Sequence, residues 1–149
     1  MLTWSIVTQQ VQQEAETAKL LQMVDEMPIN VMLADAETFE ITYINKTSID
    51  TLTPLQHLLP CPASELKGKC IDIFHKNPQH QRALMSDDKN LPHRAVIQLG
   101  DEKLDLQVSA LRDAQGTYIG PMLSWSVVNI KVSYIMLVKV FIKKFYKAK

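Results

Sequence analysis

Four histidines (His57, His75, His80 and His93) and two cysteines (Cys61 and Cys70) are the side chains of this 149-residue chain best suited to holding a metal. None of the histidines pairs at the spacing of a zinc site, and cysteines nine residues apart do not complete one, so structural zinc is not expected. A single neutral imidazole can instead supply one axial bond to an iron whose other ligands come from a macrocycle, a role for which one histidine suffices. The cysteines form neither a CxxC pair nor a disulfide framework, which makes a reducing cytoplasm the expected setting. Asp72, Asp87, Asp88, Asp101 and Glu102 lie near turns or helix ends, where solvated charge explains them. With no GxSxG elbow, P-loop, dinucleotide glycine fingerprint or kinase segment, an enzyme is not expected.

Composition limits the remaining readings. A hydrophobic content of 46% and a formal net charge of zero describe a globular domain with no general attraction for nucleic acid. The length suits one domain plus appendages. Met1 to Thr8 lacks the basic start and long apolar stretch of a secretory signal. The neutral total hides an asymmetry, because residues 130–149 carry six lysines and no acid. Tyr134, Val138, Phe141 and Phe145 recur there at helical spacing, so the segment reads as a basic amphipathic helix. Its apolar run, interrupted by Lys139, is too short to span a bilayer. Packing on its own domain or on a second copy is the first reading, and contact with a membrane surface the lesser one.

The elements that must position these side chains follow from periodicity. Val11, Ala15, Ala18, Leu21 and Val24 make residues 9–27 an amphipathic linker helix that Pro28 ends. "INVMLAD" and "FEITYIN" read as two strands joined by a turn, with Phe39, Ile41 and Tyr43 alternating against polar residues. Asn45 can cap a helix running through Ile49, Leu52, Leu55, Leu58 and Leu59, which Pro60, Pro62 and Gly68 break. Short helical turns follow from Cys70 to Met85. After His93 the pattern alternates through three long strands, separated by "GD" and by "DAQG". Leu104, Leu106 and Val108 share one face of the middle strand, as Leu123, Trp125 and Val127 do on the last. Five strands with a helical insert after the second make an α+β domain, with a pocket expected between sheet and helices.

This order, with "YIN" ending the second strand and Asp113, Gly116 and Gly120 spaced as DxxGxxxG, resembles a PAS domain over residues 28–129. "IDIFHKNPQHQ" and "GPMLSWSVV" are similar to the PAS modules arranged in tandem on bacterial methyl-accepting, aerotaxis-type chemotaxis receptors. In such receptors a last strand runs through a helix into the next PAS domain. "MLTWSIVT" at residues 1–8 nearly repeats "MLSWSVVN" at Met122–Asn129, and is therefore expected to be the remnant last strand of an upstream PAS domain.

The resemblance also implies a cofactor. Some chemotaxis-type PAS domains bind b-type haem through a histidine on a short helix, and have a tryptophan on the last strand whose indole N–H can bond oxygen. Carried over, this makes His75 the axial ligand, with His80 as its substitute, Trp125 the donor, and Leu106 an apolar wall. Two functions follow as expectations: a gas sensor that signals through its flanking helices, or a cofactor-free module that dimerises through residues 9–27. The expected partners are a gas ligand, a second copy and neighbouring PAS or signalling domains.

Overall fold

The alternation after His93 becomes a three-stranded meander in the structure, a computed structural model that describes residues 2–128 together with 139 and 142–144. The described elements are α1 (Leu2–Glu26), β1 (Asn30–Ala34), β2 (Ile41–Ile44), α2 (Lys46–Leu52), α3 (Pro78–Ser86), β3 (His93–Leu99), β4 (Glu102–Arg112) and β5 (Tyr118–Val128). Tight 3-10 turns occupy Thr53–Leu58, Ala63–Glu65, Ile71–Phe74 and Asp88–Asn90. The strands form one antiparallel sheet in the order β2-β1-β5-β4-β3, with the short helices on one face. This is the α+β arrangement that the periodicity predicts.

The expected inward face is the buried one. Leu104, Leu106 and Val108 of β4 and Leu123 and Trp125 of β5 pack with Leu52, Leu66, Ile71 and Met85 of the helical layer. Burial of each such side chain contributes roughly 1.5–3 kcal/mol. The turn between β4 and β5 shows why its motif has that spacing. Asp113 Oδ1 accepts hydrogen bonds from the Gln115 and Thr117 backbone N–H groups, each at 2.9 Å, and Gly116 takes a φ of 81°. Further along β5, a Cβ on Gly120 would stand 2.0 Å from the Ala34 carbonyl oxygen, so only a glycine lets β5 approach the end of β1.

One amide joins α1 to the sheet. Asn45 caps α2 by accepting from Ser48 N at 3.0 Å, as its position suggests, and accepts from Val31 N at 3.0 Å as well. Its Nδ2 donates to the carbonyls of Val24 and Ile29, at 3.0 and 2.8 Å. All four bonding positions of a fully buried amide are thereby used. Asp25 adds a second tie, accepting from the Tyr43 hydroxyl at 2.6 Å and from Lys46 N at 3.1 Å.

The structure departs from the sequence reading in three places. Residues 2–8 are not a strand but the first turns of α1, because a strand needs a partner for its backbone groups and a helix satisfies them within the segment. The helix starting after Asn45 stops at Leu52, where Pro54, which lacks an N–H, turns the chain into a 3-10 segment. The alternation leading into β2 holds for Phe39 and Ile41, both buried, and fails at Tyr43. Phe39 adopts a φ of 58° after the Asp35 turn, and the register shifts at Leu33/Ala34, so Ile41 and Ile44 point inward while Tyr43 faces Asp25. The basic helix read over residues 130–149 falls almost entirely outside the described residues.

Asn45→Ala removes four hydrogen bonds, although the Val24 carbonyl keeps its bond from the Met27 N–H, and is expected to lower stability by about 3–4 kcal/mol, measured by urea unfolding. Burial, and then the hydrogen bond to Asp25, push the Tyr43 phenol up to about 12. An unfolded tyrosine titrates near ~10, so stability present below that pH is expected to fall as pH rises from there towards the folded value. Burial also raises the Tyr118 phenol, so phenolate absorbance is compared in Tyr118→Phe, where Asp25→Ala should move the Tyr43 midpoint only part of the way back, since burial is the larger cause.

Candidate functional site

An apolar cavity lies between the sheet and the segment that leads into α3. Met32, Leu104, Leu106, Leu123 and Trp125 form its sheet side. Leu52, Ile71, Phe74 and His75 close it from the helical layer, and Ile97 closes it from β3. Its water-accessible volume is about 30 Å³, enough for two or three water molecules. Such a lining offers water almost nothing to bond.

Trp125 is the exception in this lining. It is 6% exposed, and its Nε1 has no hydrogen-bond acceptor among the described residues. An orphan donor in the interior costs about 1–3 kcal/mol, so this indole N–H is held in reserve rather than used by the fold. The strand register places Leu106 directly opposite it on β4 and Asn30 opposite it on β1. Asn30 Nδ2 donates to the Trp125 carbonyl at 3.0 Å, while Asn30 Oδ1 accepts from the Thr51 hydroxyl at 2.9 Å. The backbone under the indole is thus tied to α2.

His75 reaches the cavity by a different route from the expected one. It lies on no helix but follows the 3-10 turn Ile71–Phe74 in extended conformation, with its N–H bonded to the Asp72 carbonyl at 3.0 Å. Three residues later Pro78 opens α3, so His75 sits on the short span between turn and helix. Both ends of that span are fixed. Arg82 of α3 makes a forked ion pair with Asp72 of the turn, bonds Cys70 Sγ at 3.3 Å and lies 5.3 Å over the Phe39 ring. Asp72 is held below the usual carboxylate range chiefly by its hydrogen bonds from Arg82. The His75 imidazole is pushed down by burial, against the weaker attraction of Asp72, and so is neutral at pH 7 with a lone pair to offer.

His75, Trp125 and Leu106, read from the sequence as a set, therefore line one cavity. His80 does not line it. It is exposed on α3, in an outer cleft of about 280 Å³ shared with Lys76, Asn77, Gln81 and Gln98. Phe74, His75 and Ile97 belong to both cavity and cleft, so the two form an apolar floor and a polar mouth divided by three side chains. His57 is exposed and His93 half-buried, and neither lines the cavity. Among the described residues no three His, Cys, Asp or Glu side chains converge on a metal position. Sequence reasoning missed Phe74, Ile97 and Asn30. The alternation of Ala95, Ile97 and Leu99 on β3 is the signal that could have found Ile97.

The haem that the resemblance implies would find an imidazole on one wall, apolar surroundings and a buried indole N–H without a partner among the described residues. The floor is narrow, so admitting a flat macrocycle requires the dividing residues Phe74, His75 and Ile97 to part towards the cleft.

Comparisons with known proteins agree with this geometry. No family model matches the chain. It is 32% identical over 117 residues to the methyl-accepting chemotaxis protein McpB of Pseudomonas aeruginosa, covering 75% of this chain and 17% of that receptor. The chain thus spans about a sixth of that receptor's length. A solved structure of the Aer2 receptor from Vibrio cholerae, described as a dual PAS-haem oxygen sensor, is 39% identical with a TM-score of 0.64, over 71% of this chain and 99% of that one. The PAS domain of BvgS from Bordetella pertussis, at 12% identity and a TM-score of 0.56, covers 87% of this chain and 98% of that one and shares the fold alone.

Trp125→Phe keeps most of the ring volume and removes the orphan donor, so it is expected to change stability by less than about 1 kcal/mol, whereas Trp125→Ala should cost about 3–5 kcal/mol. Thermal unfolding of both variants checks this. Equal losses would mean the indole N–H is bonded in solution.

Proposed function

The chain belongs to the PAS domains of bacterial methyl-accepting chemotaxis receptors, and we propose that it senses oxygen or another gas through a b-type haem and relays the change through the flanking helices. PAS sensor domains of these receptors are signalling modules, not enzymes. The observation that carries the proposal is the partnerless Trp125 Nε1 in an otherwise apolar cavity that His75 also lines. The description of the Aer2 receptor as a PAS-haem oxygen sensor supports it.

When bound, a b-type haem would supply an iron able to take up a small gas. His75 would hold the group through its neutral imidazole, and the clamp between Asp72 and Arg82 would fix the span that presents it. Leu106 and the other apolar walls would exclude water, leaving Trp125 as the donor for a polar gas. Turning the indole towards such a ligand would load the Trp125 backbone, which Asn30 ties to Thr51 and to the start of β1 where α1 arrives. The signal would be a shift between two arrangements of that junction, as large as the ligand's preference for one of them. A gas ligand, a second copy and neighbouring PAS or signalling domains are the partners this requires. Cytoplasmic residence belongs to the same proposal; among the described residues no helix is long and apolar enough to cross a membrane.

A cofactor-free dimerisation module is the second reading. It is favoured by the narrowness of the cavity and by the exposure of Val11, Leu20, Leu21 and Met23 on α1.

Titration of the purified chain with haemin decides between them. A stoichiometric Soret band that is lost in His75→Ala is expected, and Trp125→Phe should keep the band but release oxygen about ten-fold faster, the worth of one hydrogen bond. A flat titration leaves the dimerisation module.

A further inference from the structure

The carbonyl of Trp125 is held by a side chain whose own support has two places to go. Asn30 Nδ2 donates to that carbonyl at 3.0 Å, and Asn30 Oδ1 accepts from the Thr51 hydroxyl at 2.9 Å. A hydroxyl has one proton to give. That of Thr51 has a second acceptor in reach, because the Thr47 carbonyl, one turn back on α2, stands 2.8 Å from the same oxygen. The two acceptors are unequal. Asn30 is 7% exposed and its Oδ1 accepts from no other described group, so losing Thr51 leaves a dry oxygen. The Thr47 carbonyl lies inside α2, where the backbone N–H four residues on serves it. The proton therefore rests on Asn30, with the Thr47 carbonyl as the fallback that a helical threonine commonly uses. Thr47 is itself tied to the arriving chain. Its hydroxyl donates to the Met27 carbonyl at 2.6 Å, with the Asp25 carbonyl of the last turn of α1 at 3.3 Å.

Deepening the sensor reading, on which it rests for what pulls at Trp125, we infer that Thr51 is a positioning residue whose hydroxyl proton moves between Asn30 and the Thr47 carbonyl, holding or releasing the strand beneath the indole. Either position keeps the hydroxyl bonded. The two states thus stay close in free energy, which lets a small ligand preference shift the balance between them. The route to α1 then runs along one face of α2, through Thr51 and Thr47, as well as along the start of β1. A valine would fill the same space at position 51 and hold nothing.

The test has one arm without cofactor and one with it. In the full chain without cofactor, Thr51→Val is expected to shift the folding equilibrium about ten-fold towards the unfolded state, read by urea unfolding, because it strands Asn30 Oδ1. With Asn30→Ala already present the same change should cost less than about two-fold, since only the fallback bond is lost. Equal losses in both backgrounds would put the proton on Thr47 throughout and overturn the inference, whether or not a haem binds. In the chain loaded with haemin and reduced, oxygen should alter amide hydrogen exchange over residues 24–31. Thr51→Val is expected to bind oxygen yet lose most of that response, and Thr51→Ser to keep it. A Thr51→Val chain that responds like wild type overturns the positioning role while leaving the haem reading intact. Failure to take up haemin overturns the haem reading and the ligand's part in this inference, and the cofactor-free arm still decides the two-acceptor hydroxyl.

Discussion

The amide of Asn45 is the constraint on which the rest of the domain hangs. Its four hydrogen bonds reach the last turn of α1, the residue before β1, the second residue of β1 and the first turn of α2. No other side chain type could serve all four, because two partners are N–H groups and two are carbonyls, and glutamine would carry its amide one methylene too far. Buried amides of this kind are favourable only when complete, since each missing bond leaves a backbone group dry. The consequence is geometric: the direction in which α1 leaves the sheet and the start of α2 are decided by one planar group.

From that junction a second polar thread runs into the core. Asn30 connects Thr51 of α2 to the carbonyl of Trp125, so the strand that carries the indole is held by bonds and not by packing alone. Around it the walls are hydrocarbon apart from the His75 imidazole, and among the described residues the indole N–H is the buried side-chain donor without a partner. Natural interiors keep such groups few because they cost stability without return. Here the surrounding strand is firmly bonded while the ring's own donor is free, which separates the part that must stay put from the part that can respond.

Much of the fold was legible because its strands are long and half-buried. Leu104, Leu106, Val108, Leu123 and Trp125 betray their face through simple alternation, and Asp113 betrays its turn because a carboxylate two and four residues ahead of backbone N–H groups has few other uses. Local patterns failed where a distant partner decides conformation. "MLTWSIVT" has the composition of a strand, yet without a neighbouring strand its leading residues close their hydrogen bonds along a helix. Phe39 is buried as its alternation with Ile41 predicts, but it reaches the core with a left-handed backbone set by the Asp35 turn, a demand no propensity scale places on phenylalanine. At the site, His75, Trp125 and Leu106 line one cavity. Spacing could not separate His75 from His80; the proline between them does, by starting a helix that carries His80 to the surface. Nor could it reveal the three remaining bonds of Asn45, which reach residues as far as 21 positions away.

The sheet order sets the first strand against the last. Asn30, where β1 begins, lies opposite Trp125, three residues before β5 ends, so the chain enters and leaves the domain side by side. A unit with adjoining entrance and exit can be spliced into a rod of helices much as a bead is clipped onto a cord, without lengthening the rod or redirecting it.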